Sequence, residues 1–402
     1  MSLGKIEKQP DSRDFSWSFW PLVPIYPYGK RRTIRREIIP DRVWTFEQVQ
    51  GIFYVIVPIR MTVVRLDEGG LLVYAPVAPT GECLQLLKEL VVKYGDVKYI
   101  ILPTISGLEH KVFVAPFARK FPQAQIFVAP DQWSFPFDLP LNWLGFPRKR
   151  TFILPEDSSK TPFANQFDYA ILKTVDLKSG YFSEVAFFDK KSSTLLVTDS
   201  IISVFAEPPL ILQIDSSPLL FHAKDNGLET INDTLENRCK GWQRIALFAM
   251  YFQPTVLSIP QWGKVFLDAF KAPDKSSKNY FGLFPFKWRE DWQQCFYSLS
   301  GNGRLFVPPI LQTLILNRSP QDVLQWADAI ADWDFQRIIP CHFSAPIIAG
   351  SQQFRQAFSF LEPSTGSFST KTYPLPEVEF QVLQEIDKLL CKSRLVPPPK
   401  EG

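Results

Sequence analysis

Histidine is scarce in this chain, with three residues in 402. Chemistry that needs several imidazoles has few positions to draw on, so the placing of each one carries weight. Cysteine is sparse as well. Cys83, Cys239, Cys295, Cys341 and Cys391 are an odd number, widely spaced, with no CxxC pair. That argues against a disulfide framework and for buried thiols in a reducing compartment. No uncharged apolar run reaches the roughly 18 residues of a spanning helix. The N-terminus has no apolar stretch followed by a cleavage site, so no secretory signal is expected. A formal net charge of +3 is too small to imply nucleic-acid binding. Together these absences point to a cytoplasmic protein, or one peripheral to a membrane, and not a secreted one.

What the chain has in quantity is rings and proline: 35 Phe, 11 Trp and 35 Pro. A disordered chain would be poor in aromatics. The combination predicts many irregular connections packed down by large side chains. The length allows one large domain or two.

Residues 1–43 read as an arm. Trp17, Phe19, Trp20, Tyr26 and Tyr28 precede a basic run of Lys30, Arg31, Arg32, Arg35 and Arg36. From Trp44 the texture changes. Runs at Ile52–Val57, Met61–Leu66 and Leu71–Tyr74, separated by Pro58 and Gly69-Gly70, predict an antiparallel meander. Residues 80–94 predict a helix, with Thr80 as cap and Gly95 closing it. Further strands are expected at Val97–Leu102, Gln125–Val128, Asp168–Thr174, Val185–Asp189 and Thr194–Val197. Residues 132–161 read as an ordered loop. Residues 206–318 read as a mainly helical insertion, with helical stretches such as Gly227–Leu235 and Trp242–Phe252. Ser319-Pro320 then predicts a helix start with Ser319 as cap, running to about Asp332. A strand at Arg337–Ile339 and a helix over about 351–361 follow. Residues 363–402 form a tail with a short helix near 378–390. The expected division is therefore 1–43, 44–205, 206–318, 319–362 and 363–402.

The stretch Thr104-Ile105-Ser106-Gly107-Leu108-Glu109-His110 follows one of these strands. It resembles the metallo-β-lactamase signature Thr-His-x-His-x-Asp-His, with Ile105 and Gly107 in place of the first two histidines and Glu109 in place of the aspartate. Val197-Thr198-Asp199 resembles that superfamily's Gly-Asp strand end, and Ile339-Pro340-Cys341-His342 its Pro-Gly-His strand end. The resemblance implies an α+β fold, an αββα sandwich carrying the helical insertion. It also implies ligand positions. The set belonging to one metal of the dinuclear family is missing, since Ile105 and Gly107 carry no donor and the loop near Lys178-Ser179-Gly180 has no histidine. The other set is present as Glu109, His110, Asp199 and His342. Two nitrogens and two carboxylates suit one Zn, Fe or Mn ion. The alternative is that His110 and His342 are hydrogen-bonded core residues.

Other features carry less. His222 stands off the motif and reads as a structural histidine. Ser300-Gly301-Asn302-Gly303-Arg304 lacks the Lys-Ser/Thr ending of a phosphate loop and reads as a turn. The aromatic and basic arm reads as packed on the domain, with contact to an anionic membrane surface as the alternative.

Phrases such as Glu109-His110-Lys111-Val112-Phe113, Gln132-Trp133-Ser134-Phe135-Pro136, Gly303-Arg304-Leu305-Phe306-Val307 and Trp333-Asp334-Phe335 are similar to an uncharacterised, metallo-β-lactamase-like family, a domain of unknown function, from cyanobacteria and plastids. That similarity implies a phototrophic source but no reaction. Two functions stay open: a non-catalytic scaffold with a degenerate active site that binds a protein partner, and a mononuclear metal-dependent hydrolase acting on an ester or phosphoester.

Overall fold

Seven strands pair in chain order into one sheet: Ile34–Ile39 (β1), Val43–Ile52 (β2), Val55–Arg65 (β3), Leu71–Tyr74 (β4), Val97–Leu102 (β5), Gln125–Val128 (β6) and Thr151–Ile153 (β7). The structure, a computed structural model, describes residues 11–19, 21, 25–105, 109–134, 138–362 and 375–400. Expectations that fall on Trp20, Ser106, Gly107, Leu108, Phe135, Pro136 and residues 363–374 lie outside the described residues. Strands β1 to β4 run antiparallel and β4 to β7 parallel. Two short antiparallel pairs are Val175–Asp176 (β9) with Tyr181–Phe182 (β10), and Leu257–Ser258 (β13) with Lys287–Trp288 (β14). A second main sheet has Phe167–Ile171 (β8), Val185–Asp189 (β11), Thr194–Val197 (β12) and Arg337–Pro340 (β15), in the order β15-β12-β11-β8.

The apolar pattern explains the layers. In β5, Ile100 faces outward onto helices and Ile101 faces the second sheet. In β11, Phe187 faces the first sheet and Ala186 the opposite side. A strand buried on both faces is apolar at successive positions, as Ile100-Ile101-Leu102 in β5 and Val185-Ala186-Phe187-Phe188 in β11 are. The outer face of the first sheet packs on Gly81–Tyr94 (α1) and His110–Ala118 (α2) through Leu87, Leu90, Phe113 and Phe117. The outer face of the second packs on Pro320–Ala331 (α8) and Ser351–Gln356 (α9) through Val323, Trp326 and Phe354. Between the sheets Leu72, Ile101 and Phe127 meet Phe167, Phe187 and Leu196. This is the αββα sandwich expected from the sequence.

The segment between β12 and α8 is mainly helical: Ser217–Ala223 (α3), Leu235–Tyr251 (α4), Trp262–Lys271 (α5), Trp292–Ser300 (α6) and Pro309–Leu314 (α7). Its core, around Trp242, Ile245, Phe296 and Leu299, packs against Ile56 of β3. Gln381–Lys392 (α10) docks there through Leu383, and the buried Arg318 guanidinium pairs with Asp387. No described helix is long and apolar enough to cross a membrane.

Several local expectations change. The first sheet begins at Ile34, before Trp44, because the basic run pairs with acids already in the domain. Arg32 meets Glu82 at 3.0 Å, Arg35 meets Glu89 at 2.8 Å and Arg36 lies 3.6 Å from Glu47. Trp17 and Arg31 are buried. Pro58 lies inside β3 rather than ending it. Gly227–Thr234 is not helical, and only Leu235 of the expected Gly227–Leu235 helix is. Thr234 caps α4 by accepting the Asn237 N–H, so that helix starts at Leu235. Ser319 precedes Pro320 as expected, but its hydroxyl makes no cap bond.

Gly241 marks the tightest helix crossing. A Cβ there would lie 1.8 Å from the Leu219 carbonyl oxygen of α3. Gly241→Ala is expected to destabilise the protein by about 2 kcal/mol or more, the cost of forcing packed backbones apart. Urea unfolding of the two proteins measures it.

Candidate functional site

All four residues of the motif set sit just past strand ends. Glu109 and His110 follow β5. Register pairs Val197 of β12 with Pro340 of β15, so Asp199 and His342, each two residues on, come side by side. Parallel pairing is what aligns them, because equal steps along both strands carry the chain to the same edge.

The two histidines are held alike. His110 Nδ1 lies 3.0 Å from the Pro76 carbonyl oxygen, and His342 Nδ1 lies 3.0 Å from the Pro58 carbonyl oxygen. A carbonyl can only accept, so each Nδ1 carries the proton and each Nε2 is turned inward. His342 Nε2 lies 2.8 Å from Glu109 Oε2 and 3.2 Å from Asp199 Oδ1. The other Glu109 oxygen, Oε1, accepts from Gln50 Nε2 at 2.7 Å. His110 Nε2 is buried and has no hydrogen-bond partner among the described residues. Its ring centroid stands 6.3 Å from that of His342.

The charges follow from this packing. Burial pulls His342 down, but the Glu109 charge and the hydrogen bonds to Asp199 and Glu109 outweigh it and hold the imidazole well above its ordinary value. Burial pushes the Glu109 carboxyl up, and the cationic His342 more than reverses that, leaving it below the usual carboxylate range. His110 is lowered, chiefly by burial, and is neutral. Two carboxylates thus converge on one nitrogen, and a positive charge is required between them. A proton on His342 meets that need, and so does a metal ion.

Among the described residues, Glu109, His110 and His342 each offer a ligand atom, and these atoms lie within 4.8 Å of one another. Donors bound to one ion at about 2.0–2.2 Å sit about 3–4 Å apart, so the three need only a small inward movement. Asp199 stands outside that group, against His342. Glu109 and Asp199 side chains are 40% and 30% exposed, so solvent reaches the site from the acidic side. Ile105 is fully buried in the core between the sheets. It therefore fills space with hydrocarbon where the superfamily signature has a histidine. Gly107 is outside the described residues.

Three supporting residues escaped sequence reasoning. Glu184 is fully buried, and its carboxylate accepts from the backbone N–H groups of Thr198 (2.6 Å), Asp199 (3.1 Å) and Ser200 (2.9 Å), and from Ser200 Oγ (3.1 Å). Burial and the nearby Asp199 charge push it up to about 7, against the pull of those three N–H donors. Its backbone also bridges Thr104 at the start of the motif. Arg60, paired with Glu47 at 2.9 Å inside the core, donates to the Phe343 carbonyl at 2.7 Å and to that of Pro340, gripping both sides of His342. Lys111 is buried and donates to the Trp133 carbonyl at 2.7 Å and that of Ile105 at 3.3 Å. Burial brings its amine down to about 8. Only the rarity of a charged residue inside a buried apolar strand could have flagged Arg60.

His222 is far from this set in role. It is fully buried against Phe221 and Phe286. Burial lowers it to about 3.

Among curated proteins none matches the sequence. The DIM-1 metallo-β-lactamase crystal structure exposed to ceftazidime is 10% identical with a TM-score of 0.37, covering 82% of this chain and 98% of that one. The Flv1 flavodiiron core of Synechocystis sp. is 9% identical with a TM-score of 0.43, covering 84% of this chain and 62% of that one. A flavo di-iron protein mutant of Thermotoga maritima is 9% identical with a TM-score of 0.41, covering 84% and 64%.

Two outcomes test the site and its surroundings. Glu184→Gln keeps the shape but replaces one acceptor oxygen by a donor facing backbone N–H groups. It is expected to cost about 1–3 kcal/mol in urea unfolding. For His222 the sign is set by its lowered value. The folded state binds fewer protons than the unfolded one between about pH 6.5 and 3, so stability is present above that window and lost as pH falls through it. The parent should lose up to about 1.4 kcal/mol per pH unit more than His222→Phe over pH 6 to 4, read by thermal melts. The family described as a domain of unknown function, DUF4336, matches residues 40–360, and the chain belongs to it.

Proposed function

We propose that this chain holds one divalent transition-metal ion through His110 Nε2, His342 Nε2 and Glu109, with Asp199 beside them, and acts as a mononuclear hydrolase on an ester or phosphoester. The observation that carries the reading is the paired treatment of the histidines. Both have Nδ1 held by a backbone carbonyl, and the buried His110 Nε2 has no partner. Leaving a buried nitrogen unpaired is costly, whereas a bound ion would use its lone pair. Nδ1–H to carbonyl bonding is also what fixes the tautomer of metal-ligating histidines. Zn, Fe and Mn all suit two imidazoles and a carboxylate.

When bound, such an ion supplies Lewis-acid chemistry and hydroxide near neutral pH. The chain supplies the rest. Gln50 holds one Glu109 oxygen, which fixes the side chain's direction. Glu184 fixes the backbone of Asp199. Asp199, partly open to solvent, is the carboxylate placed to take a proton from an attacking water. The second reading is a partner-binding protein without turnover. It is favoured by the buried Ile105 and by aromatic side chains exposed on the helical segment.

Protein purified without chelators should carry about one ion per chain by elemental mass spectrometry, and His110→Ala and His342→Ala should each bind it at least about tenfold more weakly. Adding metal at about a hundred times its dissociation constant should stabilise the parent by about 2.7 kcal/mol. Equal metal content in parent and variants would sink the site. Metal binding without turnover of nitrophenyl esters or phosphodiesters would favour the partner-binding reading.

A further inference from the structure

We propose that α5 and two neighbouring aromatic turns form a docking face for the headgroup region of an anionic lipid bilayer. The face is independent of the metal site. Helix α5 is amphipathic the wrong way round for a packed helix. Val265 is its one buried residue, while Trp262, Phe266, Leu267 and Phe270 are exposed, Phe270 by 78%. At 100° per residue these four span one continuous side of the helix. Lys264 and Lys271 border that side, and Lys275 and Lys278 follow in the next turn, all exposed. None of these four lysines forms an ion pair among the described residues.

The neighbouring turns add rings at a backbone cost. Phe53 and Tyr54 make the two-residue turn between β2 and β3 with φ of 49° and 62°, and Tyr280 and Phe281 have φ of 46° and 57°. Left-handed backbone favours Asn or Gly and is an outlier for bulky residues. In each pair one ring turns in and one turns out. Tyr54 and Tyr280 meet at 4.9 Å over Phe221, while Phe53 and Phe281 are 71% and 67% exposed. The turn carrying Phe281 packs on α5, since a Cβ on Gly282 would lie 2.9 Å from the Ala269 carbonyl oxygen.

The choice of lipid over protein rests on charge. Protein interface cores are depleted in lysine, whereas lysine beside Trp and Phe is how interfacial helices meet anionic headgroups. One side of a helix and two turn tips make up the face, which suits shallow insertion. The aromatic arm is less available, because Trp17 is buried and Arg32, Arg35 and Arg36 are paired with acids.

The test is co-sedimentation of the full chain with vesicles of phosphatidylglycerol and phosphatidylcholine, against phosphatidylcholine alone, at low and high salt. Binding is expected to the anionic vesicles and to weaken with salt. Phe266→Ser with Phe270→Ser, and separately Lys264→Glu with Lys271→Glu, should each weaken it at least about tenfold while keeping the parent's thermal melt. Phe19→Ser with Tyr28→Ser, on the arm, should leave it unchanged. The proposal is overturned by absence of binding, by either α5 variant binding as tightly as the parent, or by loss of binding in the arm variant alone. A dimer that dissociates in the Phe266→Ser, Phe270→Ser variant would also overturn it, since a second copy would then cover the face.

Discussion

A single buried carboxylate joins the two halves of the candidate site. Glu184 opens β11 at the point where its backbone bridges Thr104 at the end of β5. Its side chain collects the backbone N–H groups of Thr198, Asp199 and Ser200. One residue therefore ties the motif loop of the first sheet to the strand end of the second. An isolated acid at this depth would be costly, and three N–H donors together with a hydroxyl make the arrangement tolerable. Arg60 plays the matching part for His342, reaching from β3 across the sheets to the carbonyls on either side of it.

These buried charges prepare a second arrangement of charge at the edge of the sandwich. His342 Nε2 sits between Glu109 and Asp199, and His110 Nε2 is buried without a hydrogen-bond partner among the described residues. Glu109 is longer than the aspartate of the signature it resembles. Its extra methylene is accommodated, because one oxygen reaches His342 while the other is steadied by Gln50. The missing donors are replaced by packing at Ile105, which belongs to the core between the sheets.

The helical segment between β12 and α8 has a different logic. Its inner side is a well-packed core around Trp242, yet α5 turns its rings to solvent. A helix that buried its apolar face on the domain would place Phe266 and Phe270 where Val265 sits. Two aromatic turns held in left-handed backbone add to the same exposed chemistry.

Much of the sandwich was legible in sequence because its central strands are largely buried on both faces and so read as mostly apolar runs: Val97–Leu102, Gln125–Val128, Val185–Asp189 and Thr194–Val197 match the observed strands. Helix α1 was legible because Thr80 and Gly95 punctuate it. Edge strands were not. Ile34–Ile39 carries charges that look like an arm until Glu82, Glu89 and Glu47 are seen beside them. Pro58 looked like a strand breaker, but it lies within β3 and its carbonyl receives His342. The sequence alone determined the central strands of the sandwich and singled out Glu109, His110, Asp199 and His342, since local apolar pattern and motif spacing are one-dimensional properties. Only the tertiary structure decided that Asp199 and His342 lie side by side, that Glu109 reaches His342, and that Glu184 and Arg60 hold them, because register and burial arise only when distant strands pair.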